Sequence, residues 1–297
     1  MQKRCLNFIW GIDMIAELMT EHFIESNGIK LHYIEYPAPG KPVLVLLHGL
    51  TANAHAFDGL VAAGLNECFH LVMPDLRGRG LSEKPAFNYS MADHARDILG
   101  LLDHLGITKT FIGGHSFGGL LSSYMSAHYP DRVGALIILD AAAEMNPNAM
   151  QMLGSTLGRL DKTFPSFEDF IEQMKAAPQN TFWDEAMESY YRADANIRED
   201  GTVNPYPNLA NIIRAATGLA NEPWKEIFGR VKQPALLINA VENYNLGEPL
   251  LPDFKAMETV KLMADCRYVK VDGNHQTMLY AKGARETVEA IEAFTGK

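Results

Sequence analysis

The 297-residue chain is poor in cysteine, and its three cysteines, Cys5, Cys68 and Cys266, lie far apart. They show no CxxC or Cys/His spacing, which argues against a zinc site and against a disulfide framework. So few thiols fit a reducing compartment, and we expect a cytoplasmic protein. The sequence carries no signature of a flavin, haem or metal centre, so we expect no cofactor.

Basic residues are also scarce relative to acidic ones. The chain has 26 Lys and Arg against 36 Asp and Glu, which gives a net charge of −10 at pH 7 and a pI near 5.5. Such a charge opposes binding to nucleic acid and to anionic membranes. The expected partner is therefore a small-molecule substrate, with no nucleic acid and no membrane.

Long apolar runs are missing as well. No run approaches the ~20 residues that a membrane-spanning helix needs. Near the start, Lys3 and Arg4 precede an apolar stretch, but Asp13 and Glu17 interrupt it and no small-residue cleavage site follows. We interpret residues 1–20 as a short amphipathic N-terminal extension.

Short apolar runs, in contrast, recur regularly from residue 21. Two alternating stretches meet at Asn27-Gly28, which is a strong hairpin signal. Six later runs suit strands buried in a parallel sheet: VLVLLHG, HLVMPD, TFIGG, ALIILD, PALLINA and CRYVKVDG. Helical patterns separate most of them, so we predict an α/β fold with a doubly wound, mostly parallel sheet of eight strands.

The alternation of strands and helices stops after the sixth predicted strand. Residues 142–228 are rich in Met, Phe, Tyr and Trp and read as helices. We predict a core domain formed by residues 21–141 and 229–297 and a helical cap formed by residues 142–228. Ligands of such sheets bind at the carboxyl ends of the strands, so the cap would roof a pocket there.

One serine stands at a predicted strand-to-helix junction. Gly114-His115-Ser116-Phe117-Gly118 matches G-x-S-x-G, the nucleophile elbow, in which glycines avoid collisions around a strained turn. The turn would expose the Ser116 hydroxyl near the positive end of the next helix and offer the Phe117 backbone N–H to an oxyanion. His115 should point away from the serine.

Four motifs, in this order, resemble the α/β-hydrolase fold superfamily from about residue 21 to the C-terminus. They are LLHGL (46–50), PDLRGRGLS (74–82), GGHSFGG (113–119) and DGNHQTML (272–279). The resemblance implies a serine hydrolase that cleaves an ester, lactone, amide or related acyl bond through an acyl-enzyme, with carboxylesterase-like chemistry. Epoxide hydrolases of this superfamily carry aspartate at the elbow, and Ser116 argues against that activity.

The resemblance also implies residue roles. The backbone N–H of Leu50 would be the second oxyanion donor, and His275, in a Gly-Asn-His turn, would be the catalytic base. Asp75 and Arg77 would pair to hold the turn between them. A base is required because serine is a weak nucleophile at neutral pH.

The acid of the triad departs from the common pattern. Most relatives place it just after the strand PALLINA, where this chain has Asn243, with Glu242 and Glu248 nearby. A second known position is the end of the strand after the nucleophile helix, which is Asp140 here. We favour Asp140 because a rigid carboxylate at the end of a buried strand suits the orienting role, and Glu248 and Glu242 stay as alternatives.

Two further questions concern the cap and the function class. Four cap arginines, Arg159, Arg192, Arg198 and Arg214, could bind a carboxylate, but we expect each to be solvated at the surface. A ligand sensor that keeps the triad with little or no turnover is the alternative to an enzyme. Turnover of short p-nitrophenyl esters would separate the two.

Overall fold

The computed structural model describes residues 18–296. The predicted extension of residues 1–20 therefore lies outside the described residues, apart from its last three positions, of which Thr20 opens the first strand. Within the described range, no helix is long and apolar enough to cross a bilayer.

A central sheet contains eight of the ten strands found in residues 18–296. The strands are β1 (Thr20–Ser26), β2 (Ile29–Tyr36), β3 (Val43–Leu47), β4 (His70–Pro74), β5 (Thr110–His115), β6 (Val133–Leu139), β7 (Ala195–Ile197), β8 (Val203–Pro205), β9 (Ala235–Ala240) and β10 (Cys266–Val271). The sheet order is β1-β2-β4-β3-β5-β6-β9-β10. In this sheet β2 pairs antiparallel with both β1 and β4, and every other pairing is parallel. The predicted doubly wound, mostly parallel sheet is confirmed.

The hairpin at the start of the sheet follows from its two turn residues. Asn27 and Gly28 have φ of 49° and 74°, so both lie in the left-handed region that a tight two-residue hairpin requires. Asparagine and glycine tolerate this region better than other residues.

Twelve α-helices are described. They span Asp58–Ala62, Leu65–Cys68, Met91–His104, Phe117–His128, Ala149–Met152, Gly154–Gly158, Phe167–Lys175, Glu185–Asp194, Leu209–Ala220, Trp224–Arg230, Asp253–Val260 and Ala281–Thr295. Short 3₁₀ turns cover Ala54–Phe57, Pro130–Arg132 and Thr277–Leu279. The helix Met91–His104 begins at a capping box, in which the Ser90 hydroxyl accepts from the Asp93 N–H and the Asp93 carboxylate accepts from the Ser90 N–H.

The sheet is covered on both faces, as the strand pattern predicts. Leu44 and Leu46 of β3 pack in one buried apolar cluster, while their neighbours Val45 and Leu47 pack in another. This period of two explains why β3 is apolar at every position.

The segment between β6 and β9 is mostly helical, with one difference from the prediction. β7 and β8 form an antiparallel hairpin whose turn contains Gly201 at φ 82°. Each strand has only three residues, too few for a periodic signal.

The predicted end of the cap falls inside a helix. Trp224–Arg230 spans residue 228, and its buried Ile227 and Phe228 pack in the same cluster as Leu121 of the helix Phe117–His128. This helix therefore packs with the core rather than over it.

Candidate active site

Ser116 lies on a strained turn between β5 and the helix Phe117–His128. Its φ and ψ are 54° and −116°, a conformation that costs of order 1–3 kcal/mol for a residue with a side chain. A Cβ on Gly114 would lie 2.4 Å from the backbone of Gly118, and one on Gly118 would lie 1.8 Å from the Leu47 carbonyl oxygen. The two flanking glycines are therefore required by contact with backbone.

His275 follows β10 and faces Asp140. Its Nδ1 lies 2.6 Å from Asp140 Oδ2, and both side chains are buried. Because a carboxylate accepts, Nδ1 donates, and in the tautomer protonated only there Nε2 is the acceptor. Within residues 18–296 no hydrogen bond joins the imidazole to Ser116 Oγ, although both residues line one cavity. In substrate-free enzymes such contacts often tighten only when substrate binds.

Asp140 is held rigidly at the end of β6. Its other carboxylate oxygen, Oδ1, accepts from Asn239 Nδ2 at 2.8 Å and from the Ala240 N–H at 2.9 Å. Its own N–H donates to the Ile238 carbonyl at 2.8 Å. The neighbouring strand β9 therefore fixes, through these hydrogen bonds, the orientation of the carboxylate that contacts His275.

The alternative acids lie elsewhere. Glu242 and the neighbouring Asn243 are exposed, and Glu248 Oε2 accepts from Asn146 Nδ2 at 2.8 Å. Of the described carboxylates, Asp140 alone is hydrogen bonded to the His275 ring. The geometry required of a triad acid is thus met at Asp140, and its catalytic role stays a prediction.

His115 lines the same cavity as Ser116 and contacts the loop after β10, and that its side chain points away from the serine stays a prediction. Its Nε2 lies 2.7 Å from the His275 carbonyl oxygen, and the two rings are 4.4 Å apart. The carbonyl must accept, so Nε2 carries the proton. Burial, followed by the nearby His275, holds the pKa of His115 well below its usual value, so the ring is neutral. The loop after β10 therefore packs against the end of β5.

The predicted oxyanion donors lie in two segments. Leu50 follows β3, and Phe117 opens the helix after the serine, where the first backbone N–H groups have no partner within the helix. His48 Nδ1 donates to the Gly49 carbonyl at 2.8 Å, while its Nε2 accepts from the Leu76 N–H at 2.9 Å. Burial lowers the pKa of His48 to about 4, although Asp75 opposes the shift.

One cavity of about 50 Å³ is lined by Leu50, Ser116 and His275 together. From the core it is lined by residues of the loop after β3, by the serine turn and by the loop after β10. From the segment between β6 and β9 it is lined by Leu153, Thr156, Leu157, Arg159, Gln179, Tyr190 and Tyr191. The small volume favours a small ligand.

Comparison with known proteins identifies the family. Residues 42–275 match the model of the α/β hydrolase fold. The chain belongs to the α/β-hydrolase family.

Relatives of this α/β hydrolase are mostly hydrolases. A 2-(acetamidomethylene)succinate hydrolase of Mesorhizobium japonicum is 28% identical over 76% of the chain and 81% of its own length. A cis-3-alkyl-4-alkyloxetan-2-one decarboxylase of Shewanella oneidensis is 30% identical, over 59% of the chain and only 58% of its own length. A solved E-2-(acetamidomethylene)succinate hydrolase aligns with a TM-score of 0.82 at 24% identity, covering 94% of this chain and all of that one. Together they support an enzyme of the α/β-hydrolase type.

One cap arginine of the α/β hydrolase departs from the prediction. Arg192, Arg198 and Arg214 are exposed as expected, but Arg159 is buried at 5% exposure and lines the cavity. Its Nη1 donates to a buried carboxylate of Asp194, 35 residues along the chain, and sequence spacing gave no signal of this pair.

The loop that follows β4 in the α/β hydrolase is structural, but not through the expected pair. Asp75 accepts from His32 Nδ1 and the Leu81 N–H, each at 2.8 Å. Arg77 instead pairs with buried Asp97 of the helix Met91–His104, with Nε 2.6 Å from Oδ2. The predicted Asp75–Arg77 pair is wrong because each side chain finds a partner from a more distant segment.

Proposed function

We propose that this α/β hydrolase is a serine hydrolase that cleaves an ester, lactone, amide or related acyl bond of a small molecule. The observation that carries the proposal is the 2.6 Å contact between His275 Nδ1 and Asp140, beside a strained serine on the same cavity. Ser116 is the nucleophile, His275 the general base and Asp140 the acid that orients it.

The geometry supports a two-step reaction. Ser116 Oγ attacks the acyl carbon while His275 Nε2 takes its proton, and the negative oxygen is held by the N–H groups of Leu50 and Phe117. His275 then gives the proton to the leaving group as the carbonyl reforms. A water molecule attacks the acyl-enzyme in the same way and releases the acid.

The segment between β6 and β9 would act as the cap and choose the substrate. It supplies seven of the 18 residues that line the cavity, including Tyr190 and Tyr191. The Mesorhizobium relative is named for a substrate with an acetamido group, which keeps short-chain amides beside esters and lactones among the candidates. The small cavity favours short acyl groups.

A fluorophosphonate probe tests the nucleophile directly. It should label the wild type at Ser116 and leave Ser116→Ala unlabelled, and the variant should lose about 10⁴-fold or more in kcat because only binding and the oxyanion hole remain. Ser123→Ala is the matched control, since that hydroxyl only bonds the Gly119 carbonyl one turn back at 2.8 Å. Labelling that persists in Ser116→Ala would refute the assignment.

Turnover of p-nitrophenyl acetate separates the enzyme from the alternative, a ligand sensor. An enzyme releases many equivalents of p-nitrophenol per chain, whereas a sensor stops at or below one. A wild type that labels but does not turn over short esters, lactones or amides would favour the sensor.

A further inference from the structure

The loop that carries the predicted oxyanion donor has each of its carbonyls anchored. The Gly49 oxygen accepts from His48 Nδ1 at 2.8 Å and from the Ala52 N–H at 3.2 Å. The Leu50 oxygen accepts from Arg79 Nε at 2.9 Å. The Thr51 oxygen accepts from Arg159 Nη2 at 3.2 Å.

These bonds couple two peptide units, Gly49–Leu50 and Thr51–Ala52. We call this coupled pair the relay. In a trans peptide the C=O and the following N–H point in opposite directions, so the direction of the Gly49 oxygen sets that of the Leu50 N–H. The Ala52 N–H, which bonds the Gly49 oxygen, shares its peptide unit with the Thr51 oxygen. Arg159 therefore acts on the Leu50 N–H through one intervening peptide unit.

The last anchor differs from the others in its origin. His48 and Arg79 belong to the core, whereas Arg159 comes from the segment between β6 and β9. Its planar guanidinium is fixed by Asp194, whose side chain is fully buried. Burial opposes its charge, but Asp194 outweighs this and raises the pKa of Arg159, so it stays a charged donor. Hydrogen bonds from charged donors are roughly twice as strong as neutral ones.

We infer that Arg159 is a positioning residue for the oxyanion hole: its bond to the Thr51 oxygen fixes the relay that aims the Leu50 N–H at the reacting oxygen. The inference rests on the proposed function. It gives the cap segment a part in the chemical step as well as in substrate choice. The competing role for a buried arginine in a cavity is to bind a carboxylate of the substrate. The two roles predict different values of kcat for a neutral ester when the arginine is replaced.

Two variants at this position separate the roles. Arg159→Met would leave Asp194 as an unpaired buried charge, so it is combined with Asp194→Asn. Arg159→Lys keeps a charged donor without the planar fork and should restore part of the activity. Arg192→Gln is the control, because that arginine is an exposed residue of the same segment that pairs with Glu188.

With p-nitrophenyl acetate, a neutral substrate, the double variant should lose roughly 10- to 100-fold in kcat, because small misplacements of catalytic donors have effects of that size. KM should stay within about threefold, since the ground state is bound without the oxyanion. Arg159→Lys should lie between the double variant and the wild type. Unchanged kcat for the neutral ester, with a raised KM for the mono-p-nitrophenyl ester of succinate, would overturn the inference in favour of carboxylate binding.

A second measurement does not depend on hydrolysis. In protein labelled with ¹⁵N-leucine, the amide resonance of Leu50 should shift in both Arg159 variants and not in Arg192→Gln. An unmoved Leu50 amide would refute the relay even if activity fell. If the wild type neither labels nor turns over, the proposed function fails, while the Leu50 resonance still decides the relay.

Discussion

Replacing Asp140 with asparagine tests the triad acid with the smallest possible change. The residue has φ of 50°, which asparagine tolerates as well as aspartate. The new Oδ1 can still accept from Asn239 Nδ2 and the Ala240 N–H, as the carboxylate does. That orientation places the amide NH₂ against His275 Nδ1, so a ring protonated there would set two donors face to face.

The expected loss follows from this conflict. The imidazole moves its proton to Nε2, and the nitrogen that should take the serine proton then already carries one. The equivalent change in another triad lowers kcat by about 10⁴ through the wrong tautomer, which corresponds to about 5.5 kcal/mol of barrier. The fold loses one charged hydrogen bond, so the free energy of unfolding should fall by only about 1.5–3 kcal/mol.

Steady-state hydrolysis of a p-nitrophenyl ester measures the loss, and urea denaturation shows whether the fold is intact. Glu248→Gln and Glu242→Gln are the matched controls, because the first side chain bonds Asn146 and the second is exposed. Each should change kcat less than about threefold, as surface polar groups outside the site do. If a glutamate variant loses most of its kcat while Asp140→Asn stays active, the acid of the triad lies after β9.

Two further predictions concern stability. Gly118→Ala places a Cβ 1.8 Å from the Leu47 carbonyl oxygen, so it should unfold the elbow and lower the melting temperature sharply, whereas Gly158→Ala, with nothing within 4 Å, should change it little. Unchanged melting of both would contradict the packing argument. Burial lowers the pKa of His48 from 6.5 to about 4, so between these pH values the unfolded chain binds a proton that the native state does not. The free energy of unfolding should therefore fall by about 3 kcal/mol through this residue as the pH falls from 6.5 to 4. In His48→Gln the free energy of unfolding should fall less steeply over the same range. Stability that rises on acidification would contradict it.

Local chemistry made much of the fold predictable. Asn27-Gly28 defines its hairpin within two residues, and each buried strand shows as a short apolar run. The elbow was visible because its glycines stand within two residues of Ser116, although the carbonyl that Gly118 must avoid belongs to the distant Leu47. The signals for these features lie in residues that are adjacent in the sequence, so the sequence alone is sufficient to detect them.

Partner choice between distant segments could not be read in the same way. Arg77 and Arg159 are both buried against aspartates, Asp97 and Asp194, that lie 20 and 35 residues further along the chain. An isolated arginine is more often solvated, and only the packing of helices brings the acid within reach. The hydrogen-bond partner of His115 could not be predicted for a related reason, since it is the carbonyl of a residue 160 positions later.

The insertion point of the helical segment has a consequence for chain entropy. The segment leaves the sheet after β6 and returns at β9, and these two strands are hydrogen-bonded neighbours. The two ends of the segment are thus held together by the hydrogen bonds between β6 and β9, whatever length of chain lies between them. Because the entropy of closing a loop grows only with the logarithm of its length, doubling the segment would destabilise the fold by only about 0.6 kcal/mol. This junction can therefore accept caps of very different size, while Asp140, anchored before the chain departs, keeps its place beside His275.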